Sequence, residues 1–167
     1  MNKSVRLLLW FIVLMFIQTF VLDPLLLGIA FTPFIYVLIL MLLPNNWASW
    51  IVLLMGFFTG ICVDFLFFSG GVHTAACLIA CFTRNLFIRF SFRDTLSPDE
   101  LKIKHESFGQ LMRYVTLMVL VHHFFMLAFI VANSNKIEWF LYAWATNSLI
   151  TILFIGATLI LTRKVLP

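Results

Sequence analysis

Gly56-Phe57-Phe58-Thr59-Gly60-Ile61-Cys62-Val63-Asp64, continued by Phe65-Leu66-Phe67-Phe68-Ser69-Gly70-Gly71-Val72-His73, is the stretch on which the reading of this chain turns. It sets one carboxylate near the end of an apolar run long enough to cross a bilayer. Gly60 and Gly56 stand four and eight residues before Asp64, on nearly the same helical face. An ionisable group inside a membrane is costly and is retained for a reason. The small-xxx-small spacing lets another helix come close to the backbone at the level of that group. The segment therefore reads as a packing surface with a polar anchor.

The composition agrees with a bilayer as solvent. Hydrophobic residues make up 63% of the 167 and charged residues 11%, so there is too little polar surface to face water all round. Mean hydropathy is +1.07. Backbone groups in lipid must be satisfied internally, which leaves helices or a closed barrel. The apolar runs lack strict alternation and approach helical span length, so the expected fold class is an all-α integral membrane protein, a single six-helix bundle over 1–167. Six crossings are expected at about 5–22, 29–43, 49–67, 72–90, 112–132 and 139–161. The second is short and has Pro33 near its start, a position tolerated in a first helical turn.

The formal net charge of +4 is explained by where the cations fall rather than by a nucleic-acid partner. Ten of the eleven Lys and Arg residues lie on one side of the six-span arrangement, and only Lys136 lies on the other. The positive-inside rule then puts both termini and the 91–111 loop in the cytoplasm. Lys3 and Arg6 precede an apolar run as in a signal peptide, but Asp23-Pro24 follows instead of a small-x-small cleavage site, so the first helix is expected to be retained.

The one substantial loop carries a helix-start pattern. Ser97-Pro98-Asp99-Glu100 offers an N-cap, a first-turn proline and a capping-box acid, and Leu101, Phe108 and Met112 follow at helical spacing. A cytoplasmic amphipathic helix over about 98–111 is expected, either anchoring the hairpin or presenting a docking face. Cys62, Cys77 and Cys81 all fall inside spans and are expected as free thiols; their spacing matches no metal motif.

Candidate polar contacts lie within the spans. Asp64 and His73 approach each other across the Ser69-Gly70-Gly71 turn, and a hydrogen bond between them would hold the hairpin shut. The competing reading makes Asp64 a proton relay or ligand contact. His122 and His123 lie near the middle of the fifth span. Adjacent helical positions diverge by about 100°, so the pair is poorly placed to share a metal. One of them is expected to face the bundle and meet Asn147. Trp47, Trp50, Trp139 and Trp144 read as interfacial belt residues. No phosphate loop, dinucleotide fingerprint or nucleophile elbow is present, and the reading is non-enzymatic, with no cofactor and no metal.

Gly56-x-x-x-Gly60-x-x-x-Asp64, then Ser69-Gly70-Gly71 and the small residues Thr74-Ala75-Ala76, resembles the glycine-rich third span and short turn of the MreD family of rod shape-determining proteins. The size, the span count and the Pro33-containing second span are also similar to that family, while Val72-His73 departs from its glycine-and-small opening of the fourth helix. The resemblance implies a non-catalytic scaffold of the bacterial elongation machinery in the inner (cytoplasmic) membrane. It implies MreC as the main partner, with RodA and a class B penicillin-binding transpeptidase beyond it. It also implies a fold like the substrate-binding subunit of energy-coupling-factor transporters. Gly56, Gly60, Asp64, Gly70 and Gly71 then form a helix-packing or partner surface, and Asp64, His73, His122, His123 and Asn147 form the intramembrane polar pairs. The alternative function is a transporter's substrate-binding subunit, with Asp64, His73 and Asn147 lining its pocket.

Overall fold

A computed structural model describes residues 3–25, 31–92, 106–132 and 136–162. They consist of helices joined by turns and irregular segments, with no strand among them. Helix α1 (Lys3–Ile17) continues through a π-helical turn, Gln18–Leu22, into a 3₁₀ turn, Asp23–Leu25. The others are α2 (Val37–Leu42), α3 (Ser49–Phe67), α4 (Val72–Ser91), α5 (Phe108–Val131) and α6 (Ile137–Thr162). Four segments are long and apolar enough to cross a membrane: Val5–Leu22, α3, α5 and α6. The protein is an all-α, multi-pass membrane protein.

Each spanning helix turns one stripe inward and leaves the rest apolar and exposed, as expected where lipid replaces water. On α3, Val52, Gly56, Thr59, Gly60, Val63 and Asp64 are buried, at the 3.6-residue repeat. Phe57, Phe58, Ile61 and Phe65 on the same helix are exposed. Hydroxyls that face neither core nor water are closed onto their own helices: Thr83, Thr146, Thr158 and Thr162 donate to carbonyls one turn back.

Helix α4 packs between α3 and α5, and α6 closes against α5. It is 20 residues long but falls outside the spanning set, with His73, Arg84, Asn85 and Arg89 along it. Its inward stripe is small, with Ala76, Cys77, Ala80 and Cys81 buried, so its neighbours approach closely.

The expected second span, 29–43, is corrected. Helix α2 is six residues long, about 9 Å at 1.5 Å per residue, against a hydrocarbon core of about 30 Å. Residues 32–34 before it are neither helix nor strand, yet everything from Thr32 to Leu43 is buried. Pro33, expected in a first helical turn, stands in this irregular stretch. It supplies no N–H and pushes Thr32 away from helical geometry. The segment forms the axis of the molecule, in contact with α1, α3, α4 and α5.

The expected helix over 98–111 is also revised. Residues 98–105 lie outside the described ones, as does the Ser97–Glu100 cap. Glu106 and Ser107 are not helical, and α5 begins at Phe108, four residues ahead of the expected 112. The capping box that forms is Ser107 with Gln110: the Gln110 N–H donates to the Ser107 hydroxyl at 3.3 Å, and the Ser107 N–H donates to Gln110 Oε1 at 3.2 Å. The α5 and α6 bounds otherwise lie within four residues of those expected. Trp144, expected in an interfacial belt, instead donates its indole N–H to the Leu120 carbonyl on α5 at 3.0 Å.

Candidate functional site

The quoted motif builds the joint between α3 and α4. Phe68 ends α3 in the left-handed conformation, and Gly70 and Gly71 continue the turn at φ of 66° and 98°. Gly71 is the N-cap residue of α4 and has no side chain with which to cap it. Asp64 supplies that function from the neighbouring helix. Its Oδ1 accepts the N–H of His73 at 3.0 Å and its Oδ2 that of Thr74 at 2.8 Å, the donors that a local cap would normally take. The Ser69 and Thr74 hydroxyls each donate to the same carboxylate at 2.5 Å. A negative charge at a helix N-terminus is favoured further by the helix dipole. Asp64 and His73 therefore meet, but through the His73 backbone and not its ring.

Gly56 and Gly60 make the joint close-fitting. A Cβ at Gly60 would lie 2.3 Å from Thr74 Cα and 2.8 Å from Thr74 N, both backbone atoms. At Gly56 it would lie 2.6 Å from the Cys81 sulfur. Both glycines thus face α4 of the same chain. Gly70 and Gly71 have open space around them and serve the turn through backbone conformation.

The His73 ring points inward, to a group that sequence reasoning missed. The Tyr36 hydroxyl stands between two imidazoles, 2.7 Å from His73 Nδ1 and 3.1 Å from His122 Nε2. Tyr36 and His122 are wholly buried and His73 nearly so. The hydroxyl has one proton, so it donates to one ring and accepts N–H from the other, and the two tautomers are coupled. Cys77 Sγ lies 3.7 Å from the same His122 nitrogen, while His122 Nδ1 has no partner among the described residues.

His123 also faces the bundle, so both histidines are buried rather than one. This is possible although they diverge around α5, because α5 is flanked by α4, α2 and α6. His122 turns to Tyr36 and Cys77, and His123 to α6, where Nε2 meets the Thr151 hydroxyl at 3.1 Å. Its Nδ1 is 2.9 Å from the Val119 carbonyl, an acceptor that assigns the ring proton to Nδ1. Asn147 is buried on α6 one turn before Thr151.

These polar side chains serve the irregular backbone at the molecule's axis. Thr151 accepts the Phe34 N–H at 3.0 Å, across 117 residues of sequence, and Gln18 Oε1 accepts the Ile35 N–H at 2.9 Å. Non-helical backbone at membrane depth is tolerated only where protein groups satisfy it. The π turn that begins at Gln18 carries this side chain inward.

Arg84 is the second residue that sequence reasoning did not single out. Counted there only among the cytoplasmic-side cations, it is 1% exposed. One guanidinium nitrogen, Nη2, donates to the Leu43 carbonyl and to Asn45 Oδ1. Among the described residues Nε and Nη1 have no partner, and no carboxylate bonds the group. The Tyr114 hydroxyl lies beside it without completing a well-formed hydrogen bond. An uncompensated buried cation is strongly disfavoured.

The three cysteines are free thiols. Among the described residues no group of three or more His, Cys, Asp or Glu side chains is arranged to hold a metal ion. Compared with models of protein families, with curated proteins and with solved structures, the chain matches none.

Proposed function

We propose that this protein is a non-catalytic membrane scaffold of the MreD type, acting in the cell-shape machinery of a bacterial inner membrane. The observation that carries the reading is the complete commitment of Asp64, whose two oxygens accept four hydrogen bonds from Ser69, His73 and Thr74. A carboxylate so held is an architectural anchor, poorly placed to take part in proton transfer or to bind a substrate. The motif behind the family resemblance is thereby accounted for as a rigid helix joint. What remains for partners is lateral apolar helix surface, such as Phe57, Phe58, Ile61 and Phe65 on α3. Scaffolds that work inside a bilayer present such faces.

On this reading the chain has both termini in the cytoplasm and α4 as a further crossing. MreC is the principal partner, RodA and a class B penicillin-binding transpeptidase are reached through the assembly, and nucleic acid has no part. On the same reading the fold is expected to resemble the substrate-binding subunits of energy-coupling-factor transporters, an analogy that carries no activity.

The test is photo-crosslinking in native membranes from positions 58 and 65 on α3, together with deletion of the gene. A crosslinked product containing MreC, and cells that round up on deletion, are the expected results. Normal cell width after deletion would overturn the proposal. A transporter subunit is the second reading, favoured by the buried cluster of Tyr36, His73 and His122 with its unpartnered His122 Nδ1. Saturable uptake of a small solute, lost in His122→Phe, would establish it instead.

A further inference from the structure

Arg84 has three N–H bonds on Nε and Nη1 that no described residue accepts. The Tyr114 hydroxyl beside them completes no well-formed hydrogen bond among the described residues. A positive group and its neighbour therefore present unused donors in one place, and the partners Arg84 does have, Leu43 O and Asn45 Oδ1, are neutral. The chemistry that completes such a group is an anion with several acceptor oxygens, and the planar fork of arginine suits a phosphate.

The position in the fold narrows the source. Leu43 and Asn45 open the α2–α3 loop, in which Asn46 and Ala48 are exposed. Trp47 and Trp50 follow at once, Trp50 being 67% exposed. Amphipathic rings collect at the headgroup level of a bilayer. Arg84 thus lies just beneath protein surface at the depth where lipid phosphates lie.

We propose that Arg84 and Tyr114 bind the phosphate of a membrane lipid whose chains stay in the surrounding bilayer. Asn45 gives up its contact with Arg84 when the phosphate enters. The ligand is then part of the protein's architecture, neutralising the buried guanidinium and tying α4 to the α2–α3 loop.

The experiment uses the full chain in neutral detergent and reads retained lipid by native mass spectrometry, with three probes: dioleoylphosphatidic acid, dioleoylglycerol and inorganic phosphate. Phosphatidic acid is expected to bind, and dioleoylglycerol, which has the same chains without the phosphate, to bind at least about tenfold more weakly, as loss of charge-assisted hydrogen bonds implies. Arg84→Gln should lose the phosphatidic acid preference, and Tyr114→Phe should weaken it in part. Equal retention of phosphatidic acid and dioleoylglycerol by the wild-type chain would overturn the phosphate site, whatever the variants do. Displacement of phosphatidic acid by an equal concentration of inorganic phosphate would overturn the lipid as its source. Undiminished preference in a folded Arg84→Gln protein would overturn Arg84 as the binding group.

Discussion

The Asp64 carboxylate on α3 caps α4 by accepting the backbone N–H of Thr74 at 2.8 Å, with the Thr74 hydroxyl on the same oxygen at 2.5 Å. A helix whose own N-cap is glycine thereby borrows a cap from its neighbour, and the α3–α4 hairpin becomes a single structural unit. Capping and charge-assisted hydrogen bonds together imply that Asp64→Ala costs about 2–3 kcal/mol. Asp64→Asn, which keeps one acceptor oxygen, should cost about half as much. Thermal unfolding in detergent measures both, and an unchanged midpoint for Asp64→Ala would rule out the cap.

The two glycines of the motif are expected to differ in tolerance. Gly60→Ala sets a Cβ against the Thr74 backbone, which cannot rotate away, so α4 must shift and the protein should be destabilised by more than 2 kcal/mol. Gly56→Ala meets the Cys81 sulfur, a side-chain atom, and Cys81→Ala should restore much of the loss. The double variant's melting temperature against each single variant reads this coupling. By contrast, Gly156→Ala meets only the flexible end of Met112 at 3.3 Å, and should be neutral or stabilising by up to about 1 kcal/mol.

Tyr36→Phe removes the hydroxyl shared by His73 and His122 and leaves two buried imidazole nitrogens without it. The expected cost is about 1–3 kcal/mol. Nitrogen NMR of the histidine rings supplies an independent check, because the coupled tautomers should become independent in the variant. Ring signals identical to those of the wild type would refute the bridge.

Thr151 accepts from the Phe34 N–H and meets His123. Thr151→Ser keeps the oxygen and should unfold within about 1 kcal/mol of the wild type, whereas Thr151→Val orphans the buried N–H and should cost about 1–3 kcal/mol. Gln18→Leu should behave like Thr151→Val, since it removes the acceptor of the Ile35 N–H. Equal stability of Thr151→Ser and Thr151→Val would show that the irregular segment needs no side-chain acceptor there.

The amino-acid sequence alone determined the solvent and the long helices. The expected 5–22 and 49–67 coincide with Val5–Leu22 and Ser49–Phe67, because length and apolarity are local properties that hydrocarbon selects directly. The hairpin around Asp64 was legible for a similar reason: its partners lie within ten residues of it. Tertiary structure decided the rest. Residues 29–43 resemble a span in composition, but the described Thr32–Leu43 is buried irregular backbone and a short α2. Their N–H groups are answered by Gln18 and by Thr151, 117 residues from Phe34. Tyr36 and Arg84 gave no local signal either, because the histidines around the one and the neutral oxygens around the other arrive from different helices and loops. Apolar patterning reports which segments leave water, whereas the pairing of buried polar groups is set by the folded chain, which brings donors and acceptors together over whatever sequence distance the packing demands.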